Sequence, residues 1–226
     1  MKGLLLTNYY LVYRSFFAYT GVAILVSAVI FYFGDASMHR FVAMLIILFV
    51  VMPALEVIKY ESKSGYDSYV LTLPVSRTNI VQSHYFFYLL IVVIGAVISY
   101  GIFLVYSLGS DEPIDGILNI VSFGTFIVLF AGAIVYPLLY MIGPEKSDAI
   151  VIGGAMGGLF ATFGLQSVVG DAAEQVPLSF LHINPSLYVP IIYLMIGVIL
   201  YIISFFIAAA IYHKNRILAT DQVIIG

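Results

Sequence analysis

The apolar residues of this chain fall into six long runs that are separated by short polar segments. Each run has roughly the 17 to 25 predominantly apolar residues that an α-helix needs to cross the hydrocarbon core of a bilayer. The pattern therefore predicts an all-α polytopic membrane protein with six transmembrane helices. The predicted spans cover residues 16–33, 41–58, 85–108, 117–142, 149–169 and 189–212.

Composition supports lipid as the main solvent of the chain. Of the 226 residues, 62% are hydrophobic and only 9% are charged, whereas about a quarter of residues are charged in a soluble domain. We find no internal repeat or linker, so the sequence predicts a single transmembrane domain over residues 1–226. The absence of cysteine excludes disulfides and thiolate metal sites.

Charge asymmetry predicts the orientation of the spans, because Lys and Arg near span ends are retained in the cytoplasm. Six spans place both termini on one side, and a cytoplasmic N-terminus leaves only Arg40 outside. The remaining cations would all be inside: Lys2, Arg14, Lys59, Lys63, Arg77, Lys146, Lys214 and Arg216. The outside loops would carry Asp35, Asp111, Glu112, Asp115, Asp171 and Glu174.

Residues 4–15 predict an amphipathic helix in the headgroup layer rather than part of a span, because polar side chains interrupt them. The predicted apolar face consists of Leu5, Leu6, Tyr9, Val12, Tyr13 and Phe16. The opposite face carries Gly3, Thr7, Asn8, Arg14 and Ser15, and the pattern is imperfect because Leu4 and Leu11 also fall there.

The longest stretch that is typical of water-facing structure covers residues 59–84, between the second and third spans. Ser64 followed by Asp67 resembles a capping box and predicts a short helix that ends at Leu73, before Pro74. A second helix start at Ser76 leads into the third span. The short helix would have one apolar face, which either rests on lipid headgroups or docks on another protein: Tyr66, Tyr69, Val70 and Leu73.

This stretch also carries a motif. Residues 61–69 are Glu-Ser-Lys-Ser-Gly-Tyr-Asp-Ser-Tyr, and residues 73–77 are Leu-Pro-Val-Ser-Arg. The pair resembles the hallmark of small six-span permeases of the type-2 ABC exporter family. The resemblance covers essentially the whole chain, including the opening Met-Lys-Gly-Leu-Leu-Leu and the connection 143–148. Within that family, the chain is most similar to permeases of exporters that secrete phenol-soluble modulins, which are amphipathic peptides.

The resemblance implies a coupling helix between spans two and three that enters a groove of a separate cytoplasmic ATPase. It also implies a second permease subunit, identical or related, and a bacterial cytoplasmic membrane. The N-terminal segment would be the interfacial connecting helix of the family. The coupling role would fall on Ser64, Gly65, Tyr66, Asp67, Tyr69, Val70, Leu73, Pro74, Ser76 and Arg77. The implied cargo is hydrophobic or amphipathic, cytolytic or antimicrobial peptides among them.

The chain lacks a Gly-x-x-x-x-Gly-Lys-Ser/Thr phosphate loop. We therefore expect no enzyme activity and no cofactor in this chain, with ATP and Mg on the partner ATPase. The four histidines are scattered without metal-ligand spacing, so no metal site is expected. No basic patch is dense enough for nucleic acid.

Span five contains two overlapping pairs of small residues at a spacing of four. Such pairs allow close helix packing in membranes, and a contact between permease subunits is the weaker alternative. The residues are Gly153, Gly154, Gly157 and Gly158.

Glu56 is the one ionisable residue that falls within a predicted span. A pair with Lys59, or a contact with the interfacial helix, is the simpler interpretation, and an ion-gradient-driven secondary transporter is the alternative function. A non-transporting membrane sensor or immunity protein stays open as well.

The outer loop 170–188 is either a lid or an ordinary structured loop. Cargo, direction of transport and permease symmetry are open at this point.

Overall fold

The computed structural model describes residues 2–34, 38–70, 72–109, 116–175 and 185–225. Within these ranges the chain is helical apart from short turns, and no strand occurs. A 3-10 turn at Pro144–Lys146 precedes α7. The helices are α1 Lys2–Phe33, α2 His39–Leu55, α3 Val57–Ser64, α4 Tyr66–Val70, α5 Arg77–Gly109, α6 Ile117–Ile142, α7 Ser147–Gln175 and α8 Pro185–Ile225.

Six helical segments of the described chain are long and apolar enough to cross a membrane, which confirms the prediction of a six-span all-α protein. The first and third begin well before residues 16 and 85, because polar residues continue the helix beyond the apolar run. The segments are Lys2–Phe33, Phe41–Ser64, Arg77–Gly109, Ile117–Ile142, Pro144–Leu165 and Tyr188–Lys214.

Helix α1 joins the predicted interfacial segment and the first span without a break. At 1.5 Å per residue it is about 48 Å long, which exceeds the ~30 Å hydrocarbon core. The predicted polar face is wrong for Asn8, which is buried together with Leu4 and Val12, because this row at a spacing of four faces the rest of the protein. Leu6 and Tyr9 of the predicted apolar face are exposed on the outside of the bundle.

Helix α6 lies at the centre of the bundle and packs against α2, α5, α7 and α8. Helix α1 packs on α2 and α5, and α7 packs chiefly on α6. The two helices α1 and α7 therefore form parts of the periphery, and their outward sides consist largely of exposed apolar residues such as Phe17, Leu25, Met156 and Phe160.

Four tyrosines form the centre of the core, where α5, α6 and α8 meet. A buried hydroxyl without a partner is costly in a low-dielectric interior, so each of these groups needs a hydrogen bond. All four are bonded to a neighbouring helix: Tyr88 Oη to Val128 O, Tyr136 Oη to Ala54 O, Tyr201 Oη to Tyr85 O, and Tyr85 Oη to Ser204 Oγ. These bonds fix the register of α2, α5, α6 and α8.

The glycines of α7 have different environments. A Cβ added at Gly158 would lie 2.6 Å from Ile127 O, and one at Gly154 would lie 3.3 Å from Ala131 O. A Cβ at Gly157 would make an ordinary contact, and one at Gly153 would meet nothing within 4 Å. Gly154 and Gly158 thus allow α7 to approach α6 of the same chain, so that pair is not free to form the alternative contact between subunits.

The loop predicted at 170–188 is shorter than expected. Helix α7 continues to Gln175 and α8 begins at Pro185, and residues 176–184 lie outside the described residues. Several residues of the predicted charge pattern also lie outside the described part of the chain. They are the loop acids Asp35, Asp111, Glu112 and Asp115, and the side chains of Arg40, Asp171, Glu174 and Arg216.

Candidate functional site

One end of the bundle brings together the start of α1, the helices α3 and α4, the start of α5 and the connection between α6 and α7. We call it the basic end, because Lys2, Lys59, Lys63, Arg77 and Lys146 all belong to these elements. The motif found in the sequence lies here.

The segment between the second and third spans is two helices rather than the predicted single helix from Ser64 to Leu73. Helix α3 extends the second span to Ser64, and Gly65 then adopts a left-handed conformation with φ of 71°. Its N–H donates to Ser62 O at 3.2 Å, which closes the C-terminus of α3. Helix α4 follows with only five residues.

The predicted capping box of Ser64 and Asp67 is wrong for the same reason. Ser64 belongs to the last turn of α3, and its hydroxyl donates to Glu61 O at 3.0 Å. Asp67 Oδ1 instead accepts the backbone N–H of Ser68 at 2.7 Å. The second predicted start is confirmed, because α5 begins at Arg77 and Ser76 Oγ accepts the N–H of Asn79 at 3.3 Å.

The predicted apolar face of the segment is divided between the interior and the surface. Val70 is buried against Leu4 of α1 and Ile80 of α5, and Tyr66, Leu73 and Val75 pack around this cluster. Tyr69 points away and is 57% exposed. We call the exposed residues here the α4 surface: Lys63, Ser64, Gly65, Ser68, Tyr69, Thr72, Pro74 and Ser76. Asp67 and Arg77 are half-buried at its edge.

A buried polar network lies beneath this segment and joins four helices. Asn8, Glu61 and His84 are only 1%, 5% and 2% exposed. With its amide nitrogen facing these acceptors, Asn8 donates to Leu4 O and to Glu61 Oε1, both at 3.2 Å. His84 Nε2 lies 3.0 Å from Glu61 Oε2, in a contact whose geometry falls short of an aligned hydrogen bond. His84 Nδ1 lies 2.6 Å from the hydroxyl of Tyr140.

The arrangement gives each polar side chain a polar neighbour. In the tautomer in which Nδ1 accepts the Tyr140 hydroxyl, Nε2–H faces the Glu61 carboxylate, and Asn8 donates to the other carboxylate oxygen. This network was not predicted from the sequence, because Glu61 and His84 fall in the water-facing stretch 59–84 and Asn8 falls on the predicted polar face of the N-terminal helix. The spacing did carry one signal of burial. Asn8 follows Leu4 by four residues and His84 follows Ile80 by four, so each polar residue shares a helix face with an apolar one.

A pocket of about 290 Å³ adjoins the network. Glu61, His84 and Tyr140 form one side, and Asp67 and Val70 of α4 form another. Within the described ranges, no three His, Asp or Glu side chains converge closely enough to hold a metal ion.

A second polar contact holds α3 near the break at Glu56. This break follows Pro53, and the N–H of Glu56 donates to Pro53 O at 3.2 Å. Lys59 Nζ lies 3.9 Å from Glu56 Oε1, so the structure brings this predicted pair together. Lys59 Nζ makes a shorter contact with Asp148 at the start of α7. This partner was not predicted from the sequence.

Comparisons with known proteins were made for the whole chain. A family model described as ABC-2 family transporter protein matches residues 3–213. The match includes α1 to α7, the motif between the second and third spans and most of α8. No curated protein and no solved structure matches the chain.

Proposed function

We propose that this chain, which belongs to the ABC-2 family of transporter proteins, is the permease of an ATP-driven exporter powered by a separate ATPase subunit. The family places it as the membrane subunit of an ABC transporter, and the energy source and direction are our proposal. The single observation that carries it is the α4 surface. A short helix with an exposed aromatic residue is held between two membrane spans.

The orientation in this proposal follows the distribution of cations. The basic end would face the cytoplasm, where Lys and Arg near span ends are retained. Both termini and the α4 surface would then be accessible to a cytoplasmic ATPase. The membrane would be the cytoplasmic membrane of a bacterium.

Docking would use Tyr69 as the central contact, since it is the one residue of the predicted apolar face that is exposed. In protein–protein interfaces a few aromatic residues commonly contribute most of the binding free energy, and the residues around them exclude water from the contact. Lys63, Ser68 and Thr72 are exposed beside it. Because α4 continues through α3 into α2 and through a short turn into α5, displacement of α4 by the ATPase would move both spans.

Cargo of hydrophobic or amphipathic character fits the surfaces that a second permease subunit would enclose. The outward sides of α1 and α7 are apolar and partly aromatic, with Phe17, Leu25, Met156, Phe160 and Phe163 exposed. Amphipathic peptides bind such surfaces through apolar area rather than through fixed charge. We therefore propose peptide export by a pair of permeases, identical or related.

The test is co-expression with any ABC ATPase whose gene lies beside the gene of this chain, followed by purification in detergent. We expect the wild-type chain to capture the ATPase. The variant Tyr69→Asp should weaken binding by at least about tenfold, because it places a charge in the centre of an apolar contact. Tyr32→Asp is the matched control, since Tyr32 is an exposed tyrosine at the opposite end of α1. Unchanged binding by Tyr69→Asp would show that docking uses another surface.

A further inference from the structure

The buried polar network lies one helical turn from the contact that seats α4. Val70 of α4 packs on Leu4 and Ile80. Four residues further along the same two helices are Asn8 and His84, and Glu61 of α3 lies between their side chains. Helices α1 and α5 thus supply an apolar contact for α4 and, directly beyond it, a polar contact to Glu61 of α3.

Helix α4 has little support of its own. It has five residues, and Val70 is the one that is buried. Asp67 and Val70 also line the pocket of about 290 Å³. The position of α4 therefore depends on how α1, α3 and α5 are placed relative to each other.

Directional polar contacts fix such placement better than apolar contacts do. Apolar side chains tolerate small sliding movements with little loss, whereas hydrogen bonds weaken steeply when distance or angle changes. If α3 moved by one residue along its neighbours α1 and α5, the Glu61 carboxylate would lose its contacts with both Asn8 of α1 and His84 of α5 in a poorly hydrated interior. A buried charge without its partners is strongly unfavourable, so alternative registers are disfavoured.

We propose that Glu61 and His84 are positioning residues that hold α1, α3 and α5 in the register that presents α4 to the ATPase. The inference rests on the proposed function, because it explains how the α4 surface is held ready for docking. Asn8 and Tyr140 complete the contact from α1 and α6.

Hydrogen exchange of the α4 amide groups, measured on the full chain in nanodiscs, tests this without any ATPase. Glu61→Leu and His84→Leu should each speed this exchange by about tenfold, since each leaves a partner unpaired and loosens the register. Glu61→Gln should retain near-wild-type exchange, because the amide oxygen accepts from Asn8 and the amide nitrogen donates to His84 Nε2 once His84 adopts the other neutral tautomer, in which Nδ1–H donates to the Tyr140 hydroxyl. Glu145→Leu, which removes an exposed carboxylate at the same end, is the control and should have no effect.

The double variant Glu61→Leu/His84→Leu separates positioning from general stability. It leaves no unpaired charge, and Asn8 keeps Leu4 O as acceptor, so thermal stability should return close to that of the wild type. Exchange in α4 should stay fast, and ATPase binding should stay about tenfold weaker, because the directional contact is still missing.

One result would overturn the inference: α4 exchange that recovers together with thermal stability in the double variant, as expected for residues with a purely structural role. The double variant decides the question even where the single variants fail to fold. If the wild-type chain captures no ATPase, the proposed function fails separately, and the exchange series still shows whether Glu61 and His84 position α4.

Discussion

At the scale of single residues, Gly158 and Gly153 of α7 differ in what an added methyl group would meet. We expect Gly158→Ala to destabilise the protein by about 1–3 kcal/mol, because the new Cβ would be forced against a backbone carbonyl of α6. Gly153→Ala should be neutral or slightly stabilising, since Ala favours helix more than Gly does. Denaturant titration in one detergent would measure both free energies of unfolding. Equal effects of the two substitutions would contradict the close approach of α7 to Ile127.

Residue-scale prediction from the sequence succeeded where spacing alone decides the outcome. The small residues of α7 were expected to serve close packing, and Gly154 and Gly158 do lie against α6. It failed for Asn8, Glu61 and His84, because residue type indicates water and only the tertiary contact makes their burial favourable. A polar residue on a buried row carries no sign of its partner when that partner is distant in sequence.

At the scale of elements, Gly65 decides that residues 57–70 form two helices. Its φ of 71° lies in the left-handed region, which costs residues with a Cβ about 1–2 kcal/mol. A Cβ there would meet nothing within 4 Å, so the expected cost is purely conformational. We expect Gly65→Ala to speed hydrogen exchange across α4 by about tenfold, because that strain weakens the α3–α4 junction.

Gly65→Asn provides the matched comparison, since Asn adopts the left-handed region more readily than Ala does. It should fall between the wild type and Gly65→Ala in the same exchange measurement. An Ala variant with wild-type exchange would mean that the junction does not need the left-handed conformation.

The spans were predictable as elements because length and apolar content are sufficient to identify a membrane helix. Helices α3 and α4 were not, for two reasons. The apolar run ends at 58, so the continuation of the helix to Ser64 depends on contacts such as Glu61 with His84 rather than on hydropathy. The Ser64 and Asp67 pattern is equally compatible with a helix start and with the end of a preceding helix, and Gly65 decides between them.

At the scale of the whole molecule, the order of packing could not be derived from the sequence. Nothing in the apolar runs indicates that α6 is central or that α1 and α7 are peripheral. The tyrosines that fix the core come from three different spans and bond largely to backbone carbonyl groups, which every residue has. At this scale the sequence does show how Lys and Arg are distributed among the loops, and that distribution predicts which end of the bundle faces the cytoplasm.

Orientation is open to a direct test, because the chain has no cysteine and therefore no labelling background. Ser68 is exposed on the α4 surface, and Met38 is exposed at the start of the second span, at the opposite end. In intact spheroplasts, a membrane-impermeant maleimide should label Met38→Cys, because the outer end of the bundle faces the medium. Ser68→Cys should react only after the membrane is permeabilised, since its side chain would face the cytoplasm. The reverse pattern would place the α4 surface outside the cell, where no cytoplasmic ATPase could reach it, and would refute both the predicted topology and the docking proposal built on it.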